Sequence, residues 1–197
     1  MHERKVDQAD MKRVFLLPTG DEIRNGLVLD TDSPAILERI LHSYPEAQVC
    51  RLPPELDDED AILRRIVTLA AEAPDLILLI GGSGGGHRHS STLGKDYTHS
   101  ALEQCLRPAF SSEIYGKNGH LWTRLICGKW ENTLVVNVPG PYVEACAAAD
   151  AFLAAYGAGK GLREINHAMA EAVYAQYPAG GAEGKRRWDD TVEFAKN

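Results

Sequence analysis

The chemistry of this chain is concentrated in one run, Gly81-Gly82-Ser83-Gly84-Gly85-Gly86-His87-Arg88-His89, which directly follows the apolar stretch Leu76 to Ile80. Glycine lets a backbone take positive φ and come close to a ligand, so that successive N–H groups can converge on an anion such as phosphate. Arg88 adds a planar guanidinium suited to bidentate pairing with phosphate. His87 and His89 offer imidazoles that suit a first-row metal if the loop turns them toward one ion, and that otherwise contact phosphate or water. Gly94-Lys95 is followed by Asp96 rather than Ser or Thr, and no G-x-G-x-x-G occurs. Neither a Walker loop nor a Rossmann dinucleotide fingerprint is therefore present.

A second chemistry fits the same residues. Gly81-Gly82-Ser83-Gly84-Gly85 matches G-x-S-x-G, the nucleophile elbow of serine hydrolases, for which His167 would be the base and Asp150 the acid. That elbow must run straight into a helix, and Gly84 to Gly86 start one poorly, at roughly 1 kcal/mol per glycine. The anion-binding loop is the better reading.

A loop of this kind needs a frame. Val14 to Leu17 reads as a buried strand closed by Pro18-Thr19-Gly20-Asp21, and Ser33-Pro34 reads as an N-cap followed by proline at the first helical position. Ile36, Leu37, Ile40 and Leu41 then fall on one helical face. Ala47 to Leu52 forms a second strand, and Asp57 to Asp60 put negative charge at the start of a helix whose buried stripe is Ile62, Ile66, Leu69 and Ala70. Leu76 to Ile80 is continuously apolar, as a central parallel strand covered on both faces must be. This is a βαβαβ unit, and its glycine loop sits at the carboxyl end of a central strand, where open α/β sheets bind ligands. A helix near Tyr97 to Leu106 follows. Ser111 to Val138 reads as a hairpin extension leading into a strand from Thr133, then Pro139-Gly140-Pro141 opens a helix with Val143, Cys146 and Leu153 inward. Lys160 to Tyr177 is a final helix.

Composition narrows the function. The chain has 197 residues with 44% hydrophobic and 25% charged, the mix of one globular domain. Its formal charge of −7 disfavours nonspecific binding to nucleic acid. Cys50, Cys105, Cys127 and Cys146 stand far apart and form no paired metal motif, so they read as reduced thiols. No stretch reaches a membrane span, and cytoplasmic residence is the expectation. The expected domain covers residues 12–177, with 178–197 a charged tail that contains glycine.

In order along the chain, Thr19-Gly20-Asp21-Glu22-Ile23, Gly26, Asp30-Thr31-Asp32-Ser33, Asp57-Asp58, Asp75 leading to Gly81-Gly82-Ser83-Gly84, and Pro139-Gly140-Pro141 resemble the molybdopterin-binding domain family. The resemblance covers about Val14 to Phe152. It implies an α/β fold, a three-layer α/β/α sandwich with a mostly parallel central sheet, often trimeric when the domain stands alone. It implies a pocket at Thr19, Asp21, Ser83 and the glycines Gly81, Gly82, Gly84 and Gly85, with Pro139 and Gly140 at the rim. Asp32 and Asp21 would repel an anion unless they face a metal ion or the donor groups of a pterin ring; as surface caps they would do neither.

The implied function is binding of molybdopterin, molybdenum cofactor, or a related phosphate-bearing pterin or nucleotide, with adenylyl or molybdate transfer using Mg²⁺ and ATP. The alternative is a carrier or sensor of the cofactor without turnover. The chain departs from the family where an aspartate closely follows the glycines, since His89-Ser90-Ser91 stand there instead. Asp96-Tyr97-Thr98 repeats the family's trio about seven residues later, which makes Asp96 the candidate catalytic acid on a lengthened loop.

Overall fold

The computed structural model describes residues 10–84, 96–117 and 119–177. Strands β1 (Arg13–Pro18), β2 (Gln48–Arg51), β3 (Leu76–Ile80) and β6 (Thr133–Val138) are parallel, while β4 (Ala109–Tyr115) and β5 (Leu121–Trp130) form an antiparallel hairpin that continues the sheet. The sheet order is β2-β1-β3-β6-β5-β4. Helices α1 (Asp21–Arg24), α2 (Asp32–Ser43), α3 (Glu59–Ala70), α4 (Thr98–Cys105), α5 (Tyr142–Gly157) and α6 (Leu162–Tyr174) complete the chain.

Successive strand side chains point to opposite faces, and β3 shows the result. Leu76, Leu78 and Ile80 enter a core with Ile36 and Ile40 of α2, Phe152 of α5 and Met169 of α6. Ile77 and Leu79 enter a second core with Ile62 and Ile66 of α3 and Leu102 of α4. Two helical layers thus sandwich one sheet, and all five residues of β3 are buried. The continuous apolar run is explained by cover on both faces.

Two local expectations change. Helix α2 starts at Asp32 with Thr31 as its N-cap, not at a capping Ser33. Ser33 lies fully buried in the first turn and gives its N–H to Asp30 Oδ1 at 2.9 Å. The Asp30 carboxylate, one residue outside the cap, does the work assigned to the Ser33 hydroxyl. Val143 does not point inward but is 60% exposed, because it lies in the first turn of α5 on the side opposite Ala145. Cys146 and Leu153 are buried as expected. The four cysteines are free thiols, and burial pushes those of Cys105 and Cys127 up to about 12.

The join between the parallel sheet and the hairpin depends on a buried amide. Asn137 Oδ1 accepts from the Ile126 N–H at 2.6 Å and its Nδ2 donates to the Arg124 carbonyl at 2.9 Å. It thereby pairs backbone groups of β5 beyond the β5–β6 ladder, which runs only from Cys127 to Trp130. Asn137→Ala leaves both groups without a partner and is expected to cost about 2–4 kcal/mol of stability, read as a lowered denaturant midpoint at unchanged slope. A midpoint equal to that of the parent would show that the amide is dispensable.

Candidate functional site

Parallel neighbours β1, β3 and β6 end at one edge of the sheet, so the loops after Pro18, Ile80 and Val138 meet there. From β1 the chain moves outward to β2 and then returns past β1 to β3, which makes the crevice between β1 and β3 a topological switch point. A cleft of about 550 Å³ opens at this edge.

The loops approach one another closely. Thr19 N–H donates to the Ile80 carbonyl at 2.8 Å, and Gly81 N–H to the Val138 carbonyl at 3.1 Å. The hydroxyls of Thr19 and Thr98, both buried, share a hydrogen bond at 2.9 Å. Gly81 and Gly82 have φ of +96° and +60°. A Cβ on Gly81 would lie 2.8 Å from the Thr19 carbonyl oxygen, and one on Gly82 would collide with the Thr98 hydroxyl. Glycine is required at both positions by conformation and by space. Ser83 is held by its carbonyl, which accepts from Arg124 N–H at 2.7 Å, and by its hydroxyl, which accepts from Thr123 at 2.8 Å. Among the described residues, no hydrogen bond engages the N–H groups of Gly82, Ser83 and Gly84.

Of the residues expected from sequence, the cleft brings together Thr19, Asp32, Gly81, Gly82, Ser83, Gly84, Asp96, Pro139 and Gly140. Asp96 stands against the glycine loop, its Oδ2 2.5 Å from where a Gly84 Cβ would be. Asp21 is not in the lining. Its Oδ1 accepts from Asp57 N–H at 3.1 Å while Asp57 Oδ2 accepts from Asp21 N–H at 3.3 Å, a reciprocal clasp between α1 and the loop before α3. Gly85, His87, Arg88 and His89 lie outside the described residues. The hydrolase reading loses its geometry: Ser83 is 4% exposed and bonded to Thr123, Asp150 pairs with Arg39 at 2.9 Å, and the next described helix after Ser83 begins at Thr98.

The lining also holds residues that the sequence reading did not assign to the site. Among the described residues it carries the carboxylates Glu22, Asp30, Asp32, Asp57, Asp96 and Glu144 and no cationic side chain. Asp30 is neutralised locally by Arg51, whose Nε and Nη2 reach its Oδ2 at 3.0 and 2.9 Å. Burial raises the pKa of Asp32, with the charge of Asp30 adding to the effect. Asp57 is the most perturbed: burial, followed by the charges of Glu22, Asp21 and Asp96, raises it to about 6 against one opposing backbone hydrogen bond. Its Oδ1 is buried without a hydrogen-bond partner. The negative charge expected at the start of α3 is there, with Asp58 capping the helix by accepting from Ala61 N–H at 2.7 Å and Glu59 and Asp60 in its first turn, while Asp57 just before the cap turns to the cleft.

Residues 15–157 match the family model described as a probable molybdopterin binding domain. No curated protein matches the chain. Among solved structures, the molybdopterin biosynthesis enzyme MoaB from Thermus thermophilus is similar at 22% identity and a TM-score of 0.58, over 83% of this chain and 98% of that one. A molybdopterin biosynthesis protein from Mycobacterium abscessus is similar at 18% identity and 0.52, over 83% and 93%. The CinA protein from Thermoplasma acidophilum, titled as of unknown function, is similar at 18% identity and 0.50, over 68% and 90%. At these identities the likeness is one of fold. Among the described residues no helix is long and apolar enough to cross a membrane.

The crowded carboxylates carry a pH signature. Asp57 holds its proton in the folded chain up to about pH 6, whereas the unfolded chain releases it near 3.8. Between those values the native state binds more protons, so this group makes stability fall as pH rises through the window and leaves it lower above. Asp57→Asn keeps an acceptor for Asp21 N–H and removes the charge. It is expected to melt higher than the parent above about pH 6 and equally at the acid end of the window. A difference independent of pH, in melting curves taken on both sides of the window, would show that the charge is not the source.

Proposed function

The chain belongs to the family described as a probable molybdopterin binding domain, and from that membership we propose that its cleft binds a phosphate-bearing pterin or nucleotide and transfers an adenylyl or molybdate group. One observation carries this reading: the N–H groups of Gly82, Ser83 and Gly84, without partners among the described residues, share a cleft with the carboxylate of Asp96. Backbone N–H groups suit an anion, and a carboxylate beside them suits the handling of the group that attacks or leaves.

The acidic lining fits this division of labour. A phosphate meets the loop backbone, while carboxylates farther along the lining accept from the N–H donors of a heterocyclic ring. The residues present also fit Mg²⁺. Asp57 Oδ1 is a buried oxygen with no partner, and Asp57 feels the charge of Asp96. No group of three or more metal-binding side chains is assembled among the described residues. That is the pattern for an ion held by one or two carboxylates together with substrate phosphates rather than by a protein cage. Asp57 and Asp96 would hold it. When bound, the ion supplies charge neutralisation at the transferring phosphorus, with ATP as the adenylyl donor in adenylyl transfer. Asp96 then orients the attacking oxygen, and Gly82 to Gly84 fix the phosphate that bears it.

Asp96→Asn tests the assignment, since it keeps shape and hydrogen bonding but removes the charge. It is expected to hold the ligand nearly as well as the parent in calorimetry and to lower adenylyl or molybdate transfer by about a hundredfold. Equal turnover in variant and parent would remove Asp96 from the chemistry. Binding without transfer in the parent would favour a carrier or sensor of the cofactor.

A further inference from the structure

One wall of the cleft is explained neither by the glycine loop nor by the carboxylates. Trp122, the second residue of β5, and Tyr177, just beyond α6, both line it. Their ring centroids lie 4.4 Å apart with planes at 54°. Both rings are fixed in place. Gly116 leaves room for the indole, since a Cβ there would collide with three of its atoms, and the Tyr177 hydroxyl donates to Glu144 Oε2 at 3.0 Å. Both residues pack against the core under α5 and α6 yet stay only partly buried, and the cleft takes part of their remaining surface.

The wall stands beside the phosphate loop. The Trp122 carbonyl oxygen is 3.3 Å from where a Gly84 Cβ would be, and Arg124, two residues on, donates its N–H to Ser83. A ligand with its phosphate on Gly82 to Gly84 therefore has a pre-formed aromatic surface within the span of a small molecule. A fixed aromatic pair loses little further freedom when a flat ring is laid on it, and every nitrogen heterocycle offers a π face.

Resting on the phosphate reading above, we propose that Trp122 and Tyr177 form the stacking platform for the planar nitrogen heterocycle of the ligand, while the glycine loop takes its phosphate. The platform decides which phosphates the cleft selects: those carrying a flat ring are favoured over those that do not. Pterin and purine share this chemistry, and the probes below separate them.

The full chain is titrated with hydroxymethylpterin monophosphate, AMP and ribose phosphate, by calorimetry and by tryptophan fluorescence. The pterin phosphate is expected to quench the parent's fluorescence. Trp122→Leu is expected to weaken its binding by about ten- to a hundredfold, the effect of losing one stacking ring. Trp122→Phe keeps a ring and retains affinity while losing most of the quench. Ribose phosphate, which lacks a flat heterocycle, binds all three chains alike. If Trp122→Leu does not fold, as read by its thermal transition, Tyr177→Leu carries the same expectation outside the strand. Dependence on Trp122 for AMP rather than the pterin phosphate leaves the platform in place and makes its occupant a purine. Equal affinity of the leucine variants and the parent for both heterocyclic probes overturns the platform, and ribose phosphate binding then keeps the phosphate reading standing. A parent that binds none of the three overturns both.

Discussion

Everything at the site depends on how closely the loops after β1 and β3 pass. The backbone of Gly81 lies against the carbonyl of Thr19, and Gly82 lies against the side chain of Thr98, with no room for a Cβ at either position. That approach lets the Thr19 and Thr98 hydroxyls meet, and their hydrogen bond ties the first strand to the start of α4. Thr98 N–H then donates to the Gly82 carbonyl at 3.1 Å, so α4 is docked on the loop that precedes it. The first two glycines thus serve packing before they serve any ligand. The N–H groups that follow are presented by a loop already held on both sides, so little reorganisation remains for an anion to induce.

The second constraint is electrostatic and works against the fold. Asp57, which carries a proton up to about pH 6, leaves the cleft less stable above that pH than a neutral side chain at the same place would. Such strain is expected where a site is shaped for a cation or for ring N–H donors rather than for its own empty state. Arg51 shows what the fold does where charge is only structural: it pairs directly with Asp30. Among the described residues no cation pairs with Asp57, whose Oδ1 is left without a partner.

Much of this architecture was legible in the sequence because its signals are local. The run Leu76 to Ile80, the stripe Ile62, Ile66, Leu69 and Ala70, and the glycines after a buried strand each report their surroundings through their own spacing. What was not legible depends on contacts between distant segments. Trp122 belongs to a hairpin strand, and the pairing of Ser83 with Thr123 and Arg124 brings it beside the glycine loop. Tyr177 follows the last helix and reaches the cleft because α6 packs along β4 and β5. Asp57 and Asp58 are adjacent and chemically alike, yet one faces the cleft and the other caps α3, a division set by backbone direction alone. Val143 was misplaced because an alanine-rich helix has a weak apolar stripe, so its inward face is set by Ala145, Ala148 and Phe152 rather than by the larger Val.

The approach of Asp96 to the glycine loop is set by contacts that lie outside the stretch joining them. Gly84 follows a residue whose carbonyl is bound by Arg124, and Asp96 precedes a helix whose first residue, Thr98, is bound to both Gly82 and Thr19. Both ends of the stretch between are therefore fixed by residues that lie outside it, and Asp96 Oδ2 comes within contact distance of the Gly84 position. Closing a longer loop between fixed ends costs only about 0.6 kcal/mol for each doubling of length. The number of residues between Gly84 and Asp96 consequently has little bearing on where the Asp96 carboxylate is held. The distance in sequence from glycine to aspartate is free to vary, whereas the distance in space is set by Thr19, Thr98 and Arg124.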